Sequence, residues 1–99
     1  MADLAGTWNV SIEYVRGVGQ QQFILRQIGD SLTGEHKGEV FQAAIRGKVE
    51  ADHVTLRSMM RPSGYYLPYV FVGKCAGNTF SGEVTMGEYG AGTFVATRL

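Results

Sequence analysis

Residues 47–55 read Gly47-Lys48-Val49-Glu50-Ala51-Asp52-His53-Val54-Thr55, an alternating run, a small-residue–Asp pair and a second alternating run. The unit recurs at Gly29-Asp30, followed by Ser31-Leu32-Thr33, and at Gly77-Asn78, preceded by Gly73-Lys74 and followed by Thr79-Phe80-Ser81. Small-plus-Asp/Asn pairs supply the positive φ angles of tight hairpin turns between alternating strands. Three of them at nearly even intervals describe a meander, and a meander of this length is expected to close on itself.

Outward from those turns, period-two alternation runs along the whole chain and no stretch shows a helical period. It predicts strands at 6–15, 20–28, 32–38, 41–50, 53–61, 65–76, 79–87 and 91–98. Each has one mainly apolar face: Trp8, Val10, Ile12 and Tyr14 on the first, Phe23, Leu25 and Gln27 on the second, Leu67, Tyr69, Phe71 and Cys75 on the sixth. Inward glycines such as Gly34, Gly47 and Gly82 relieve crowding where strands coil. The expected fold is all-β, an eight-stranded antiparallel up-and-down barrel spanning 1–99 as one domain, with a two-sheet sandwich as the alternative.

In such a barrel alternate connections lie at opposite ends. The three tight turns share one end with the chain termini, and the links at 15–19, 37–40, 61–64 and 87–91 share the other. One end is cinched and the other looped, which makes a cup whose mouth would admit a ligand.

Composition narrows the function classes. The chain has 99 residues, with nine cationic and nine anionic side chains interleaved and a formal charge of zero. No basic face for nucleic acid or acidic lipid is evident from that pattern. The lone Cys75 rules out an internal disulfide and a cysteine metal cluster. No His/Cys/Asp cluster has metal-ligand spacing, and no cofactor is expected. The N-terminal residues lack the features of a secretory signal, and no apolar run approaches the roughly 20 residues of a spanning helix, so the expected location is the cytoplasm.

Gly6-Thr7-Trp8 at the start of the first strand and Arg98 at the end of the last resemble the signature of calycins (lipocalins, fatty-acid-binding proteins and avidins). The resemblance implies a barrel-closing pair in which the Arg98 guanidinium packs on Trp8 at the cinched end. The broader pattern, Gly6-Thr7-Trp8, Gln27-Ile28-Gly29, Leu32-Thr33-Gly34, Gly87-Glu88-Tyr89-Gly90 and Thr97-Arg98, is similar to small bacterial β-barrel domains of poorly defined function, some at the C-terminal ends of amidohydrolases and pyridoxal-phosphate enzymes. Ile28 stands where those domains usually carry an acidic residue. Trp8 is the sole tryptophan, so the resemblance implies no biotin binding.

The candidate ligand-binding residues are Tyr14, His36, Ser58 and Tyr69, all inward in the open half, and Glu88 in a mouth loop. His36 offers a hydrogen bond or a proton near neutral pH; its structural alternative is a core histidine satisfied by a polar neighbour. Glu88 offers an acceptor to a ligand or an ion pair to Arg61. Tyr66, Val70 and Val72 point outward on the sixth strand and Met59 on the fifth, so these two strands are the expected interface of a homodimer. The leading expectation is a binder of a small apolar or amphipathic molecule. The alternative is a non-catalytic interaction module with a filled barrel. An enzyme using His36 with Glu88 is third.

Overall fold

Gly29, Ala51 and Gly77 occupy the same position in the three tight turns, and all three have positive φ, at 62°, 54° and 64°. The computed structural model describes residues 3–15, 17–38, 42–60 and 67–99. Its strands are β1 (Gly6–Tyr14), β2 (Gly17–Ile28), β3 (Ser31–Lys37), β4 (Gln42–Glu50), β5 (His53–Met60), β6 (Leu67–Ala76), β7 (Thr79–Thr85) and β8 (Ala91–Arg98), with a 3-10 turn at Gly87–Tyr89. Each strand pairs antiparallel with the next, and β8 returns to β1, so the sheet closes as an up-and-down barrel. The sandwich alternative is thereby excluded. No helix among the described residues is long and apolar enough to cross a membrane.

The tight turns do more than reverse the chain. Only the first residue of each central pair has positive φ, the arrangement of a II′-type hairpin that follows the twist of its strands. The carbonyl of the second residue then accepts a backbone bond from a later strand: Asp30 from Val49 at 2.9 Å, Asp52 from Cys75 at 2.8 Å and Asn78 from Arg98 at 2.9 Å. Leu99 N–H donates to Thr7 at 2.9 Å and completes the circuit. Each hairpin is thus laced to the one after it.

Inward glycines permit the tight coiling. A Cβ on Gly47 would lie 1.8 Å from the Thr55 carbonyl oxygen, and one on Gly82 would lie 2.0 Å from that of Val72. No side chain fits at such a crossing. The space freed inside is filled by rings. Trp8 meets Phe80 edge-on with centroids 4.7 Å apart, Phe23 meets Phe71 at 4.8 Å and Phe71 meets Phe94 at 5.1 Å. All five are buried, in the edge-to-face geometry that aromatic quadrupoles favour.

Two boundaries differ from the sequence expectation at the mouth. Of the link expected at 15–19, Gly17-Val18-Gly19 is strand: β2 begins at Gly17 and pairs with β1, Tyr14 opposite Gly17 and Ile12 opposite Gly19. Gly17-Val18-Gly19 carries no apolar alternation, because glycines stand opposite the large inward side chains of β1. At the other boundary β7 stops at Thr85, and Met86 N–H bonds to Gly90 O at 2.8 Å as the chain enters the 3-10 turn.

Candidate functional site at the barrel mouth

The two ends of the barrel are chemically unlike. At the closed end residues 3–5 cross the opening. Leu4 is buried, its N–H donating to Gln27 Oε1 at 2.7 Å and its carbonyl accepting from Trp8 Nε1 at 3.0 Å. Arg98 lies over the Trp8 ring at 4.4 Å and donates to the carbonyls of Ala5 and Asp3 and, at 3.0 Å, to Asn78 Oδ1. Alternation could not show this plug, because Asp3-Leu4-Ala5 precedes the first strand. Cys75 is half-buried there; burial pushes its thiol pKa up, with Asp52 adding and Arg98 opposing.

At the open end a cleft of about 490 Å³ enters the barrel. Its apolar lining includes Ile12, Leu67, Met86 and the rings of Tyr14 and Tyr69, and its polar lining includes Gln21 and Glu88. Three of the five expected ligand-binding residues, Tyr14, Tyr69 and Glu88, therefore share one cleft. Tyr14 and Glu88 are exposed on its rim, and Tyr69 is buried within it. Arg61, the expected partner of Glu88, lies outside the described residues, as does Tyr66.

His36 and Ser58 do not line this cleft. Both are buried behind it and joined to it by hydrogen bonds. His36 Nδ1 lies 2.6 Å from Ser58 Oγ, His36 Nε2 bonds Gln21 Oε1, and Gln21 Nε2 donates to the Tyr69 hydroxyl at 3.3 Å. With the Gln21 amide so oriented, its oxygen requires a proton on His36 Nε2. Burial pulls the His36 pKa down to about 4, so the imidazole is neutral and Nδ1 accepts from Ser58. Rings of Phe23, Tyr69 and Phe71 meet the imidazole edge-on at 5.4, 4.7 and 5.6 Å.

Every proton in this relay points the same way, from Ser58 through His36 and Gln21 to Tyr69. The Tyr69 oxygen already accepts from Gln21, so its own O–H remains to donate. The relay therefore presents the Tyr69 O–H as a donor at the cleft wall, beside the second N–H of the Gln21 amide. It gives His36 little capacity as a base: its imidazole is buried, its pKa is pulled down to about 4, and an amide behind it stabilises an imidazolium less than a carboxylate would.

Gln21 was missed by the sequence reading. It shares the inward parity of Phe23 and Leu25, and carrying that parity back through Gln20-Gln21-Gln22 is the signal that would have found it. Of the expected interface residues, Met59 and Val72 are 45% and 50% exposed and Val70 is half-buried on the outer wall.

No protein-family model matches this chain, and a search of curated proteins finds no match.

Proposed function

We propose that the protein binds a small, mainly apolar molecule bearing a hydrogen-bond acceptor, seated in the mouth cleft above a filled aromatic core. The observation that carries this reading is the relay ending at Tyr69. A hydrogen-bonded polar chain that brings the Tyr69 hydroxyl to a largely apolar cleft is suited to orienting a ligand. Ile12, Leu67 and Met86 would contact its apolar body, and the Glu88 carboxylate would accept from a donor at its outer end. His36 and Ser58 act as positioning residues that hold Gln21, and through it Tyr69.

The same reading classes the chain with calycin-like barrels, supported by the meander topology and the Trp8–Arg98 contact. It differs from an open-lumen carrier in depth, because Phe23, Phe71, Phe80 and Phe94 occupy the interior. That filling favours a second reading, a non-catalytic interaction module. Titration with N-phenyl-1-naphthylamine, a neutral apolar fluorophore, separates the two. A blue-shifted, saturable enhancement that Leu67→Glu abolishes supports the cleft; no enhancement with the folded wild type favours the module.

A further inference from the structure

Folding gathers on the outer wall three arginines that the sequence scatters. Arg26 on β2 stands opposite Thr33, Thr33 opposite Arg46 on β4, and Arg46 opposite Arg57 on β5. All three arginines are exposed. Among the described residues the ion pairs are Lys37–Glu35 and His53–Asp52, and none involves these arginines. Arg46 and Arg57 are directly opposed, and like charges so placed repel. An arginine pair with no ion-pair partner among the described residues is complementary in charge to an anion.

Beside this row lies a furrow of about 680 Å³. Its two walls follow from the strand period. On β4, Ala44 and Arg46 flank inward Ile45; on β5, Met59 and Arg57 flank inward Ser58; on β6, Pro68 and Val70 flank inward Tyr69. One wall is thus largely guanidinium, and the other, formed by Ala44, Met59 and Pro68, is apolar. Successive outward residues on a strand lie about 7 Å apart, wide enough for one alkyl chain or ring.

We propose that this furrow binds an organic phosphate monoester, with the phosphate held by Arg46 and Arg57 and its apolar substituent laid along Ala44, Met59 and Pro68. Charge selects the head group. A carboxylate carries one charge, whereas a phosphate monoester carries about −1.5 to −2 at neutral pH with three acceptor oxygens, the better match in charge to two guanidinium forks. Arg26, two strands from Arg46, adds to the attracting field. A second copy of this chain is a poorer occupant of the same face, because a two-fold contact across it sets guanidiniums against guanidiniums.

Calorimetric titration with hexyl phosphate tests the proposal, alongside hexanol, inorganic phosphate and sedimentation of the same samples. The expected result is saturable binding of hexyl phosphate, at least tenfold weaker inorganic phosphate and no hexanol binding. Arg57→Gln and Arg46→Gln should each weaken hexyl phosphate at least tenfold without lowering the thermal midpoint, since each relieves repulsion. Met59→Ser should narrow the margin over inorganic phosphate, and Leu67→Glu at the mouth should change nothing. Equal affinity in the arginine variants, equal affinity for the two phosphates, or a wild-type dimer that excludes hexyl phosphate would each overturn it.

Discussion

The closed and open ends of this barrel use the same strands for opposite purposes. At the closed end the hydrogen-bonded polar groups serve the fold: turn carbonyls lace successive hairpins, Gln27 holds Leu4, and Arg98 ties residues 3–5 to Trp8. At the open end a buried polar chain runs to Tyr69 at the wall of a cleft and stops with a donor to spare. Polar groups that satisfy each other stabilise; polar groups aligned toward an opening select a partner. The difference teaches where stability and recognition should separate on substitution.

The largest effect should come from the closed end. Trp8→Ala removes a fully buried ring and the platform under Arg98, and should cost about 3–5 kcal/mol by urea unfolding. A comparable loss from Leu67→Ala at the mouth would break the comparison.

Next is the pH response of the relay. Because the His36 pKa falls from 6.5 to about 4 on folding, the unfolded chain takes up a proton between those values that the native chain refuses. Stability is therefore full above pH 6.5, declines as pH falls through this window and levels off below about 4, for a loss on the order of 3 kcal/mol. Denaturant midpoints of the wild type and of His36→Gln at pH 7.5 and 4.5 check this, with the variant expected to lose much less across the window. Parallel slopes for the two proteins would place the acid sensitivity elsewhere.

Tyr69→Phe sharpens the contrast at smaller scale. It removes the donor while keeping the ring, so an acceptor-bearing ligand such as 1-naphthaldehyde should bind about five- to tenfold more weakly, the value of one hydrogen bond. Binding of N-phenyl-1-naphthylamine, whose amine is chiefly a donor, should change less. Smallest is Ala51→Gly. Ala51 is the one non-glycine residue with positive φ among those described, and glycine removes its steric cost, raising stability by about 0.5–1 kcal/mol.

The barrel was legible because its signals are local: Gly29-Asp30, Ala51-Asp52 and Gly77-Asn78 mark turns, and inward parity follows from each strand's own residues. The mouth was legible only in part, for the same reason. Tyr14, Tyr69 and Glu88 could be placed by parity and loop position, but the setting of His36 and Ser58 behind the cleft depends on Gln21, contributed by a different strand from either. The glycines of 17–19 likewise read as a loop, because their pairing is decided by Tyr14 and Ile12 across the hairpin. The arginine row is invisible in composition, since Arg26, Arg46 and Arg57 become neighbours only through sheet register.

The most direct test of the account is amide chemical-shift mapping of the isotopically labelled protein with N-phenyl-1-naphthylamine. The account predicts saturable shifts confined to the mouth, at Ile12, Tyr14, Gly19, Gln21, Leu67, Tyr69 and Glu88, with the turns at Gly29, Ala51 and Gly77 unmoved. Shifts centred on the closed end or the outer wall, or none at saturating probe, would contradict it.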